Sequence, residues 1–128
     1  MQNGPAAVVA AVVKRADKFL ICQRPPHKRH GGLWEFPGGK VEAGETLLQA
    51  ARRELSEELA LNATAAGDLL FSMVDPVSGF EIKFLEVSVD GEPQLSEHTA
   101  LSWLDAQALL RLPLAPSDKA FVESLNRR

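Results

Sequence analysis

The sequence predicts an α/β/α sandwich built on a central mixed β-sheet, and three observations predict it. Apolar runs of strand length fall at residues 6–13, 19–24, 63–75 and 79–89. One long segment, 47–59, holds only reasonable helix formers, with no Gly and no Pro. A second helical segment follows Pro116 or Ser117 and runs to Asn126. Strands interleaved with helices bury their apolar faces by covering both sides of one sheet. The 128 residues suit one domain over 1–128, and a hydrophobic content of 45% supplies its core.

Each element has a local reason. Residues 6–13 are a continuous Ala/Val run, the pattern of a strand buried on both faces. Ala16, Asp17 and Lys18 make a turn, and 19–24 returns as a second strand that ends on the fixed charge of Arg24. The 25–32 stretch opens on two prolines, ends on two glycines and reads as a mobile surface loop with a basic middle, His27 to His30. Its two histidines also leave a metal site open, and its charge can steer a polyanion inward. Residues 33–36 form a short strand that leads into Pro37 and a glycine turn. The two long strands at 63–75 and 79–89 meet at Pro76-Val77-Ser78-Gly79, a hairpin, and 90–93 is another turn. After a loop at 95–98 come a short strand at 100–103 and a short helix at 105–110, with Asp105 near its start.

Composition narrows the function. A net charge of −3 argues against a sequence-independent nucleic-acid binder, which carries a basic surplus. Cys22 stands alone in a strand pattern and reads as a buried structural thiol in a reducing cytosol. The 6–13 run is too short to span a membrane, and Lys14 and Arg15 follow it instead of preceding it, unlike a signal peptide. The expectation is a cytoplasmic protein, with neither membrane nor nucleic acid as partner.

Chemistry concentrates between Gly38 and Leu61. Gly38, Gly39 and Gly44 allow sharp bends and close approach of backbone to a ligand, and Thr46 can cap the helix that follows. On that helix Glu54, Glu57 and Glu58 stand at i, i+3 and i+4, so three carboxylates share one face. Like charges so placed repel and call for a cation, unless the face is simply solvated. All-oxygen ligands favour Mg²⁺, Mn²⁺ or Ca²⁺ over Zn²⁺, and Mg²⁺ in particular is held by a few carboxylates together with substrate phosphates. Leu48, Ala51, Leu55 and Leu59 form the apolar stripe that seats the helix on the sheet.

These residues resemble the Nudix box: Gly39, Glu45, Arg53, Glu54, Leu55, Glu57, Glu58 and Leu61 meet its fixed positions. Ala60 departs, standing where the pattern has Gly at the helix C-terminus. The departure puts the helix ending in doubt by about 1 kcal/mol and touches no carboxylate. The resemblance extends over nearly the whole chain: Arg24, then Glu35-Phe36-Pro37-Gly38-Gly39, then Gly91-Glu92-Pro93 with Glu97, then Leu114-Ala115-Pro116, in the order of MutT-like nucleoside triphosphate pyrophosphohydrolases.

The resemblance implies the Nudix α/β/α fold, a nucleoside triphosphate substrate, release of pyrophosphate, and Mg²⁺ or Mn²⁺. It implies Gly38, through its carbonyl, and Glu54, Glu57 and Glu58 as metal ligands, with Glu97 as a further ligand or base; a solvated loop acid is the other reading of Glu97. Arg53 would orient Glu54, with Glu45 behind it. Arg24, Glu35, Phe36, Gly39, Lys40 and Asp118 would face the substrate, Phe36 as a wall of the base pocket and Asp118 at the base edge. Otherwise Arg24 is solvated, Phe36 is core and Asp118 only stabilises a helix N-terminus. Trp34 and Trp103 read more readily as core than as stacking platforms. An ionised Asp118 accepts from the exocyclic amine of cytosine or adenine, whereas the N7–H and O6 of 8-oxoguanine suit an Asn or a protonated Asp. The expected activity is 8-oxo-dGTP hydrolysis, with CTP, dCTP or 5-methyl-dCTP as the alternative. A non-catalytic recognition module and hydrolysis of ADP-ribose or dinucleoside polyphosphates come lower, and the state is a monomer or weak homodimer.

Overall fold

A continuous Ala/Val run can leave neither face in water. In the computed structural model, which describes residues 6–127, β1 (Ala7–Val12) accordingly lies between two cores. Successive strand residues point to opposite faces. Val9 and Ala11 join Ala50, Ala51, Leu55 and Leu59 of α1 (Leu47–Leu59), while Ala10 and Val12 join Phe36, Phe84, Phe121 and Val122 on the side of α3 (Pro116–Asn126). Helices thus cover the two faces of one strand layer, as predicted.

The β-structure divides into two four-stranded sheets instead of one. In the first, mixed sheet, β1 pairs parallel with β7 (Glu81–Asp90) and antiparallel with β5 (Gly38–Lys40), and β6 (Asn62–Val74) closes the far side. In the second, antiparallel sheet, β3 (Lys18–Gln23) pairs with β8 (Ala100–Leu104), with β2 (Lys14–Arg15) and with β4 (Trp34–Glu35).

The glycine opening is a strand where a turn was expected. Gly38 opposes Ala10, and a Cβ at Gly38 would collide with the Val9 carbonyl oxygen, so the close pairing of β5 with β1 needs glycine there. The strand expected at 33–36 shortens to β4 because the chain from Pro113 to Ala115 claims Trp34: its N–H donates to the Pro113 carbonyl at 2.8 Å and its carbonyl accepts from Ala115 N–H at 2.9 Å. That bridge fixes the entry to α3. At the β6–β7 tip, Gly79 takes a left-handed φ of 76°, and the Asp75 carboxylate accepts from Ser78 N–H at 2.8 Å; β7 therefore starts at Glu81.

Helix α1 opens on a full capping box. Thr46 Oγ1 accepts from Gln49 N–H at 3.1 Å, and Gln49 Oε1 accepts from Thr46 N–H at 2.8 Å. At its other end Ala60 takes the left-handed conformation the missing glycine would take, φ 57° and ψ 29°. Its buried stripe is Ala50, Ala51, Leu55 and Leu59; Leu48 lies at the margin. Asp105 caps α2 (Ala106–Leu109), accepting from Ala108 N–H at 2.8 Å. Cys22 is fully buried and free, and burial pushes its thiol far up, so it is inert. Among the described residues no helix is long and apolar enough to cross a membrane.

Candidate active site

Arg53 organises the first half of the site. Its Nε and Nη2 each reach one oxygen of Glu45 at 2.9 Å, Nη1 reaches Glu54 Oε2 at 3.0 Å, and Nη2 also donates to the Lys40 carbonyl at 3.0 Å. Such a fork needs a guanidinium, since a lysine offers one point of charge. The Arg53 hydrogen bonds, aided by the Glu42 N–H at 2.8 Å, hold the Glu45 carboxyl down at about 2. One side chain thereby joins the loop before α1, the end of β5 and the middle of α1.

The three helix carboxylates occupy the predicted turn but do not converge. Glu54 is drawn to Arg53 and covers Gly39, where an added Cβ would collide with its carboxylate. Glu57 faces out and is exposed. Glu58 turns inward and accepts from the Gly38 N–H at 3.3 Å. Among the described residues no three acidic, His or Cys side chains stand close enough together to hold an ion as they are. Arg53 draws Glu54 to one side and the Gly38 N–H draws Glu58 to the other, while Glu57 points to solvent. Burial first, then the adjacent Glu54 and Glu35, raise the Glu58 carboxyl well above the usual range. That crowding of acid, with Arg53 already committed, is a donor set that fits a divalent cation.

Beside Glu58 opens a cavity of about 480 Å³. Arg24, Glu35, Phe36, Gly38, Gly39, Lys40 and Asp118 all line it, so every residue expected at the substrate is brought together. Arg24 is not simply solvated: Nη1 pairs with Glu35 Oε1 at 2.9 Å and Nε donates to the Arg29 carbonyl at 2.7 Å. The 25–32 loop, read as mobile, is in fact tied at its neck by Arg24 and Gln23. Phe36 is chiefly core, edge-on to Phe19, Phe84 and Phe121 and 3% exposed, with its margin on the cavity. Lys40 sits over the Phe80 ring at 4.9 Å. Trp34 and Trp103 are not among the residues lining this cavity and pack against the cores.

Asp118 lies in the first turn of α3, yet it does more than complement the helix dipole. Its Oδ1 accepts the Phe36 N–H at 2.8 Å, and the side chain is almost wholly buried at the cavity wall. Burial, reinforced by Glu35 and opposed by the Phe36 hydrogen bond, pushes its carboxyl up to about 8. That direction favours the protonated form, the one of the two states considered from the sequence that suits 8-oxoguanine. Glu97 is exposed and lines a smaller cavity with Arg24, Glu35, Glu58 and His98.

Sequence reasoning missed His98, Phe80 and the hairpin-tip pair Asp75 and Ser78. His98 is 7% exposed and 3.0 Å from Glu35; the other three line the larger cavity. A lone histidine at the end of a polar loop carries no periodic signal, and residues at a hairpin tip reach the site only through the long twist of β6 and β7. Arg29 and His30 also line the larger cavity, from the loop read only as a steering charge.

Comparison with known proteins agrees with this geometry. A family model described as the NUDIX domain matches residues 4–125. A CTP pyrophosphohydrolase of Escherichia coli is 43% identical over 120 residues, covering 91% of this chain and 88% of its own. An 8-oxo-dGTP diphosphatase of Proteus vulgaris is 45% identical over 58 residues, covering 44% of this chain and 52% of its own. A solved structure from work on MutT of Aliivibrio salmonicida and Vibrio cholerae superposes with a TM-score of 0.81 at 31% identity, covering 94% of this chain and 96% of that one.

Proposed function

Because the chain belongs to the Nudix family and is one of its nucleotide pyrophosphohydrolases, we propose that it cleaves nucleoside triphosphates to the monophosphate and pyrophosphate, with 8-oxo-dGTP as the leading substrate. The observation that carries the base assignment is the buried Asp118 in the cavity wall, whose carboxyl burial pushes up to about 8 and so towards the protonated form. With Oδ1 held by Phe36 N–H, the acid presents an O–H donor beside a carbonyl acceptor. That pair complements the O6 acceptor and N7–H donor of 8-oxoguanine. Ordinary guanine offers two acceptors at the same edge and leaves the acid carbonyl without a donor. The second reading is a cytosine nucleotide, supported by the CTP pyrophosphohydrolase relative and by the N3 acceptor and N4 amine of cytosine, which match the same pair.

Phosphoanhydride cleavage depends on positioning and charge. Hydrolases of this family use divalent cations, and Glu54, Glu57, Glu58 and the Gly38 carbonyl would hold Mg²⁺ or Mn²⁺ here, with Glu97 as a further ligand or as the base. Such an ion, when bound, neutralises phosphate oxygens and lowers the pKa of a bound water. Arg53 keeps Glu54 in place and Glu45 keeps Arg53 in place. Arg24 and Lys40 supply positive charge along the phosphates, Gly39 leaves room for Glu54, and Phe36 anchors Asp118 through its N–H. The test is pyrophosphate release with Mg²⁺ from 8-oxo-dGTP, dGTP, CTP, dCTP, 5-methyl-dCTP and ADP-ribose. We expect 8-oxo-dGTP to lead; equal rates on 8-oxo-dGTP and dGTP would overturn that assignment, and no release from any of them would overturn the activity.

A further inference from the structure

Glu35 stands at the junction of the two cavities, and both of its oxygens are engaged. Oε1 accepts from Arg24 Nη1 at 2.9 Å, and Oε2 lies 3.0 Å from His98 Nε2. A carboxylate oxygen accepts, which assigns the imidazole proton to Nε2 and leaves Nδ1 as a bare lone pair. Nδ1 is buried and has no partner among the described residues. A buried imidazole with one nitrogen unsatisfied is costly, and among the described residues His98 makes no other side-chain hydrogen bond, so its orientation rests on Glu35. Arg24 in turn depends on Glu35: of its guanidinium, Nη1 is fixed by Glu35 and Nε by the Arg29 carbonyl. These two anchors set the plane of the guanidinium and leave the remaining nitrogen, Nη2, without a partner among the described residues.

We propose that His98 is a positioning residue for triphosphate binding: it locks the Glu35 carboxylate by a buried Nε2–H hydrogen bond, and Glu35 holds the Arg24 guanidinium toward the phosphates. This inference rests on the pyrophosphohydrolase reading for its substrate. It also changes the expected role of Glu35, which the sequence placed against the substrate. With both oxygens occupied, Glu35 acts through Arg24 instead of touching the nucleotide. The link is directional: Glu35 without His98 can rotate about its terminal torsion, which is broad for a carboxylate, and Arg24 then loses the fixed Nη1 anchor.

The experiment compares wild type, His98→Leu and His98→Gln. Gln places an amide N–H donor near the position of Nε2, while Leu fills the space and donates nothing. With inorganic tripolyphosphate and Mg²⁺ in calorimetry, His98→Leu should bind about tenfold more weakly and His98→Gln within about threefold of wild type. In turnover of the leading nucleotide, KM should rise by a similar factor while kcat changes little. Adding His98→Leu to Glu35→Gln should cost little more, because both act through Arg24. A folded His98→Leu that binds tripolyphosphate like wild type would overturn the proposal, as would additive losses in the double variant, a drop in kcat at constant KM, or a wild type that does not bind tripolyphosphate. If tripolyphosphate binding depends on His98 but no nucleotide is turned over, the positioning role stands and the substrate reading falls.

Discussion

Glu45, held by Arg53 before α1, and Asp118, in the wall of the larger cavity, are carboxylates that the fold treats in opposite ways. Glu45 has a guanidinium against both oxygens, which hold its carboxyl down at about 2. Asp118 is sealed in the wall of the cavity with a single backbone N–H, and burial pushes its carboxyl up to about 8. The difference separates two tasks. Beside the proposed cation site, Arg53 clamps Glu45 and Glu54 and keeps Glu45 charged. At the proposed base edge, burial favours the protonated acid, which can donate as well as accept.

The charged half breaks most severely. Glu57→Gln keeps size and polarity but removes a carboxylate proposed to hold the cation, and we expect turnover to fall by roughly a hundred- to a thousandfold. Circular dichroism and the melting temperature should be unchanged, since Glu57 is exposed; a near-wild-type rate would remove it from the ligand set. Arg53→Lys is next. Lysine cannot bridge Glu45, Glu54 and the Lys40 carbonyl together, so kcat should drop roughly ten- to a hundredfold with little change in KM. A change confined to KM would mean that Arg53 serves binding and not the placement of Glu54.

The neutral half responds to pH. The folded-state value of Asp118 lies above its ordinary 3.8, so the native protein holds this proton between about 4 and about 8 while the unfolded chain does not. Its contribution to stability is therefore full at low pH and declines as pH rises through that window. Chemical denaturation of Asp118→Asn should show a flatter pH dependence than wild type from pH 5 to 8; identical slopes would mean that Asp118 is ionised throughout. The smallest effect lies outside both halves. Ala60 carries a left-handed backbone at the end of α1, so Ala60→Gly should stabilise by about 0.5–1 kcal/mol without changing kcat/KM. A loss of stability would show that the Ala60 side chain has packing that its exposure hides.

Much of this was legible because it is local. The i, i+3, i+4 spacing of the glutamates, the Thr46 cap and the two faces of the Ala/Val strand follow from helix and strand periods alone. The resemblance to the Nudix box added Arg53 and Glu45, which no period reveals. What the sequence concealed depends on distant segments meeting. The split into two sheets arises because β3 takes β8 as a partner while β1 takes β7. The Gly38 strand exists only because β1 lies beside it. The raised carboxyl of Asp118 depends on burial and on Glu35, residues apart in sequence, so the sequence alone left its ionised and protonated forms both open. His98 was invisible for the same reason: its meaning comes from Glu35, in another strand.

The most direct test of the central claim is the ratio of kcat/KM for 8-oxo-dGTP to that for dGTP, measured from pH 6 to 9.5 in wild type and Asp118→Asn. Taking the ratio cancels protonations that act on both nucleotides alike. The account predicts a large ratio at pH 7 that falls as Asp118 loses its proton near pH 8, and a ratio in Asp118→Asn that stays high and flat, because an amide keeps both a donor and an acceptor at every pH. A ratio near one, or a wild-type ratio independent of pH, would contradict it.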